Sequence, residues 1–193
     1  TMSTPKLLSI QVARAQSLLI EGKPILSAIE KTNVSGAVTV KPLGLDGDEQ
    51  ADLSVHGGLS KAVYAYPSEH YPYWREQQSL LGLNKPLPYG SMGENLTLSG
   101  LPEQDVYVGD ELHFADCVLR VTEPRQPCFK FNAVMNDKRA AKKMAHTGYC
   151  GFYLAVVRTG ALSAGETFTL VPGARDTAIS ELFKVAMRTT ASD

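Results

Sequence analysis

The stretch Glu111-Leu112-His113-Phe114-Ala115-Asp116-Cys117-Val118-Leu119-Arg120-Val121 decides the fold class. Glu111 to Phe114 and Val118 to Val121 read as two strands, with Ala115-Asp116-Cys117 as the turn between them. Ahead of them, Val106-Tyr107-Val108-Gly109-Asp110 reads as a turn of strand-to-strand type. The same texture extends both ways. Leu7 to Ala13, Ile25 to Ile29, Val38 to Val40, Ala62 to Tyr66, Leu96 to Leu98, Gly151 to Val157 and Gly165 to Val171 are short apolar or β-branched runs. Turn glycines separate many of them. Only about two substantial helices interrupt the pattern. Pro67-Ser68-Glu69-His70 opens one, with Tyr71, Trp74, Gln78 and Leu81 at helical spacing. The other runs from Asp137 to about Thr147, with Asn136 as its cap. A short terminal helix spans Asp176 to Met187. Many short strands and no strand-helix alternation point to a mainly β, α+β chain built as a small barrel or sandwich, not a Rossmann sheet.

The hairpin leads into Glu123-Pro124-Arg125-Gln126-Pro127-Cys128-Phe129-Lys130-Phe131-Asn132. Both prolines lack a backbone donor and fix φ, so they resist ladder pairing and set Cys128 in a stiff turn. Arg125 and Lys130 flank the sulfur, and cations near a thiol favour the thiolate, the nucleophilic and metal-binding form. The alternative is a small buried hydrophobe beside a turn. Between Arg120 and His146 seven cations face two acids, an excess of five, although net charge is −1. Lys138 to Lys143 fit a solvated helix face. Arg125 and Lys130 fit that description less well.

A chain of 193 residues fits one domain with a sizeable core. Its 44% hydrophobic and 20% charged content is that of a soluble protein, and its balanced charge excludes a generic binder of nucleic acid. No apolar run approaches the roughly 20 residues that span a bilayer. The first residues lack the charged and apolar regions of a signal peptide. Cys117, Cys128 and Cys150 form no C-x-x-C pair, which argues against a disulfide framework and for a reducing, cytoplasmic setting.

Four polar loops are candidates to converge on one pocket: Lys31-Thr32, Asp46 to Lys61, Gly90 to Asn95, and Arg125 to Asn132. Gly57 and Gly58 let backbone amides approach an anion. Lys31, Lys61 and Arg125 suit a phosphate. His56 is placed to donate a hydrogen bond, unless it and the two glycines form only a tight turn. A metal hydrolase drawing on Asp46, Asp48, Asp52 and His56 lacks both the downstream glutamate of a calcium loop and a His-x-x-x-His pair. A cysteine hydrolase finds in His56 its one attractive base and no third orienting group.

Taken in order, Lys31-Thr32, Gly44 to Asp52, His56-Gly57-Gly58, Lys61, Gly93-Glu94-Asn95-Leu96 and Arg125-Gln126-Pro127-Cys128 resemble the MOSC domain, and within it the YiiM type, the 6-N-hydroxylaminopurine resistance proteins. The resemblance runs from about Ile10 to Val171. It implies a MOSC-type β-barrel over residues 1–173, followed by a C-terminal helical tail over 174–193. It implies binding of molybdenum cofactor (molybdopterin), with Cys128 as the metal ligand and Lys31, Thr32, His56, Asn95 and Arg125 lining the pocket. The implied activity is reduction of N-hydroxylated bases to their amines, a detoxification. A soft thiolate and basic loops suit a redox-active metal on an anionic pterin. Asp48 and His56 are the candidates to relay protons. No flavin or iron–sulfur motif is present, so a separate flavin-type reductase is the expected electron donor. A homodimer is a further expectation. The rival class is a carrier that holds the cofactor, or sulfur as a Cys128 persulfide, without turnover.

Overall fold

Alternation along Val63-Tyr64-Ala65-Tyr66 sets the two sides of the central sheet. Successive side chains of a strand point to opposite faces. Val63 and Ala65 therefore enter one core, and Tyr64 and Tyr66 another. The structure, a computed structural model, describes residues 4–13, 16–20, 23–27, 31–49 and 58–191. His56, Gly57 and Asp52 lie outside the described residues, as do Ala28 and Ile29.

In chain order the described strands are β1 (Lys6–Val12), β2 (Gln16–Ile20), β3 (Lys23–Ser27), β4 (Thr32–Asn33), β5 (Val38–Lys41), β6 (Gly44–Leu45), β7 (Val63–Pro67), β8 (Leu96–Ser99), β9 (Glu111–His113), β10 (Val118–Pro124), β11 (Phe152–Arg158), β12 (Gly160–Leu162) and β13 (Thr169–Val171). Four α-helices join them: α1 (Tyr71–Leu80), α2 (Phe129–Met135), α3 (Ala140–Thr147) and α4 (Ile179–Ala191). The architecture is α+β and mostly sheet. Eight strands pair in the order β13-β9-β10-β11-β7-β8-β1-β4. All these neighbours are antiparallel except β7 and β8, which are parallel. Parallel neighbours need a crossover, and α1 supplies it.

The ladder does not close into a barrel among the described residues, where β13 and β4 remain its ends. The start of β1 reaches the approach to β13 through one antiparallel bridge, Lys6 to Thr167, and a hydrogen bond donated by Leu7 N to Glu166 O at 2.8 Å. Val63, Ala65, Leu96, Leu98, Ile10, Phe152 and Leu154 line the apolar face of the sheet. Against the other face α1, α2 and α3 pack an aromatic core of Tyr64, Tyr66, Tyr71, Trp74 and Phe131. Ile179 and Phe183 of α4 are buried in the first and second core respectively.

Several local expectations change. Gly44-Leu45, which lies outside every run picked out as strand-like, forms β6 because it pairs with Val40 and Lys41 of β5. Gly160–Leu162 is an unexpected strand on Val38 to Val40. Among the described residues one parallel strand-helix-strand unit occurs, β7-α1-β8. The helix expected from Asp137 to about Thr147 is α3, which starts at Ala140, and a further helix, α2, precedes it where a loop was expected. Asn136 does not open α3; at φ 48 it closes α2 in the left-handed region, where asparagine is tolerated. Pro124 does not leave the ladder but ends β10 opposite Phe152, where no further donor is needed.

Candidate functional site

The sheet register builds the site from one polar row. Glu123 stands opposite Tyr153, and Tyr153 opposite Tyr64. Asn95 N donates to Tyr64 O at 2.8 Å, and the Asn95 carbonyl accepts from Gln11 N at 2.7 Å. Gln11 pairs in turn with Asn33. The row sits on the aromatic side of the sheet and runs toward the loops predicted to converge.

At one end of the row, Lys31 Nζ lies 2.6 Å from Asp48 Oδ1, with both side chains nearly buried. Ala13 N donates to the same oxygen at 3.0 Å, and Asn95 Nδ2 donates to Asp48 Oδ2 at 2.9 Å. Asn95 Oδ1 accepts from Tyr64 N at 2.9 Å. Lys31, Asp48 and Asn95 thus form one network. Thr32 is exposed and its hydroxyl donates to Val12 O at 3.3 Å. Gly90 fits beneath Lys31 only because it lacks a side chain: a Cβ there would stand 2.8 Å from Gln11 Cγ and 3.3 Å from Lys31 O.

At the other end β10 delivers the cysteine loop. A bulge between Val121 and Glu123 re-aims the strand, and the Thr122 hydroxyl ties it down by donating to Ser60 O at 2.6 Å. Cys128 follows in extended conformation as the residue capping α2, half-buried. It lines a cleft of about 620 Å³ with Lys61, Glu123, Phe129, Tyr153 and two residues of α4, Leu182 and Ala186. Lys61 Nζ is 3.3 Å from Glu123 Oε1 and 5.5 Å from the centre of the Tyr153 ring. Gly58 begins the short 3₁₀ turn that carries Lys61.

Arg125 turns inward and is 5% exposed. Its Nη1 donates to Met92 O and, at 3.4 Å, to Tyr64 Oη. Its guanidinium carbon stands 5.2 Å from the centres of both the Tyr64 and Phe131 rings. Burial works against its charge, but Tyr64, Tyr153 and Cys128 outweigh that, so it holds its proton more tightly than usual. Burial also pushes the Tyr153 phenol above its ordinary range, against the pull of Arg125. Among the described ion pairs Arg125 has no carboxylate partner.

The 90–95 loop links the two ends. Glu94 is fully buried and accepts from Tyr71 Oη at 2.7 Å, Thr97 Oγ1 at 3.0 Å and Met92 N at 3.1 Å. This fixes the Met92 carbonyl for Arg125 and Asn95 for Asp48.

Residues 52–169 match the family model of the MOSC domain. The chain is 38% identical over 170 residues to Protein YiiM of Escherichia coli, covering 86% of this chain and 72% of that protein. The chain belongs to the MOSC domain family. The crystal structure of YiiM from Geobacillus stearothermophilus superposes with a TM-score of 0.77 at 31% identity, covering 96% of this chain and 85% of that one. A Gibberella moniliformis protein named Reductase is 37% identical over 179 residues, 89% of this chain but 30% of that protein. MOSC domains are linked to molybdenum cofactor.

Tyr64 and Tyr153 joined the site without being expected there, whereas Glu123 and Phe129 belong to the stretch around Cys128. The alternation Val63/Ala65 against Tyr64/Tyr66 was the available signal for Tyr64. Among the described residues no helix is long and apolar enough to cross a membrane.

Proposed function

We propose that this MOSC protein is a molybdenum-cofactor-dependent reductase of N-hydroxylated bases such as 6-N-hydroxylaminopurine, converting them to amines. The observation that carries the reading is Arg125, a buried guanidinium without a carboxylate partner among the described ion pairs, beside the half-buried Cys128. A buried charge is costly unless paired. An anionic cofactor at Cys128 would supply that pairing. The donor set fits in a second respect. Among the described residues no three His, Cys, Asp or Glu side chains converge on a metal position. A metal at Cys128 would then take its other ligands from a cofactor that brings its own sulfur atoms. The family, and the relative named Reductase, support oxidoreductase chemistry.

When bound, the cofactor would supply the two electrons that reduce R–NH–OH, with two protons, to R–NH₂ and water. The chain's own residues do the rest. Cys128 holds the metal, and Arg125 and Lys61 hold negative charge. Lys31, through its pair with Asp48, orders the loop beside Asn95. Leu182 and Ala186 keep one side of the cleft apolar and limit water. Asp48 already accepts three hydrogen bonds, so its role here is to position Lys31 and Asn95. Electrons come from a separate flavin-type reductase.

Purified, cofactor-loaded protein tests this. With NADPH alone it should be inert toward 6-hydroxylaminopurine. A strong one-electron donor, or a flavin reductase, should switch on adenine formation. No turnover by fully loaded protein under any reductant would refute the reductase and favour a carrier.

A further inference from the structure

Two aromatic side chains in the Cys128 cleft have no role in the account so far. Phe129 is 57% exposed although it is a large apolar ring, and among the described residues it meets no other aromatic ring. Tyr153 is the opposite case, a ring held rigidly. It packs on Tyr64 with centroids 5.2 Å apart, and Lys61 lies against it. Its hydroxyl makes no hydrogen bond to the described residues. Yet among the described residues no buried side-chain nitrogen or oxygen lacks a partner. The Tyr153 hydroxyl is therefore not sealed in the core but reaches solvent from a residue that lines the cleft. A phenol hydroxyl is a hydrogen-bond donor, and none of the described residues accepts from this one.

We infer that Phe129 and Tyr153 are the recognition surface for the flat heteroaromatic ring of the substrate, with the Tyr153 hydroxyl donating a hydrogen bond to it. The inference rests on the reductase reading for the identity of that ring. Aromatic side chains accept a base through its π-face, and a polar donor then fixes orientation. Leu182 and Ala186 add aliphatic contact, and the Lys61–Glu123 pair places a cation and a carboxylate at the same cleft. A neutral fused ring matches this lining better than a flexible or highly charged molecule does.

The test uses 2-aminopurine, whose fluorescence is quenched when it stacks on an aromatic ring, titrated into purified protein. Wild type should bind and quench it. Tyr153→Phe keeps the ring and loses the donor, so quenching should persist while binding weakens about fivefold. Tyr153→Leu and Phe129→Leu should each weaken binding about tenfold or more and reduce quenching. Phe129 is exposed, so its variant keeps the fold, and molybdenum and pterin content should be unchanged in all three. Wild-type affinity in both leucine variants would overturn the inference. So would leucine variants that lose pterin while still binding 2-aminopurine, because the rings would then face the cofactor. Ring-dependent purine binding in a protein that never reduces hydroxylaminopurine would sink the reductase reading alone. A working reductase whose KM ignores both rings would sink this inference alone.

Discussion

Replacing Arg125 with methionine should separate cofactor retention from folding. The guanidinium donates to the Met92 carbonyl and Tyr64 hydroxyl and lies against two rings. A charged hydrogen bond contributes about 1.5–3 kcal/mol, and an orphaned buried carbonyl costs about 1–3 kcal/mol. Each cation–π contact adds about 0.5–2 kcal/mol. Against these stands the desolvation of a buried cation, several kcal/mol, which methionine removes. The two sides nearly cancel. Urea unfolding of cofactor-free Arg125→Met should lie within about 2 kcal/mol of wild type. Metal analysis and pterin fluorescence should show cofactor content down at least tenfold, because no cation then faces the anion at that position. Arg125→Lys, which keeps the charge and loses the fork, should fall between. A loss above about 4 kcal/mol with pterin content unchanged would refute the reasoning and make Arg125 a structural residue.

Other outcomes follow from single contacts. Gly151→Ala places a Cβ 2.5 Å from Ala65 O and 2.8 Å from the Tyr64 ring at φ +69, so it should cost about 1–3 kcal/mol in urea unfolding and disturb Tyr64. Brief alkylation of cofactor-free native protein should modify Cys128 alone by peptide mapping. Cys117 and Cys150 are fully buried, and burial pushes the Cys117 thiol up to about 12 and that of Cys150 well above its ordinary value. Asp110 is fully buried, which opposes ionisation, but Arg175 at 2.9 Å and two backbone amides outweigh that and lower its titration below 3.8. The pair therefore stabilises at neutral pH, and that stability is lost as pH falls from the ordinary value through the lowered one. Asp110→Asn should be less stable than wild type at pH 7 by urea unfolding, with the gap closing in strong acid.

The sheet was legible because short β-branched runs and turn glycines are local signals. Nine of the thirteen described strands overlap the hairpin and the short apolar or β-branched runs picked out from the residues. β6 and β12 were not readable, because two or three residues gain strand geometry only from pairing with β5. α2 was missed for a related reason. Phe129-Lys130-Phe131-Asn132 shows no clear apolar period, and its helix is held by Phe131 and Met135 packing under α1. The site divides the same way. Cys128 and Arg125 stand out by chemistry and by their prolines. The pairing of Lys31 with Asp48, seventeen positions apart, is set by tertiary contact. Tyr153 enters because β10, β11 and β7 share one register, which no local pattern encodes.

Adenine formation by cofactor-loaded Cys128→Ser, set beside wild type under the same chemical reductant, tests the central claim most directly. Cys128→Ser should fold as wild type does and form no adenine above the rate of the reductant alone, while Cys117→Ser and Cys150→Ala keep activity. Wild-type adenine formation by Cys128→Ser with cofactor present would contradict the assignment of Cys128 as the metal ligand and, with it, the reaction proposed for this cleft.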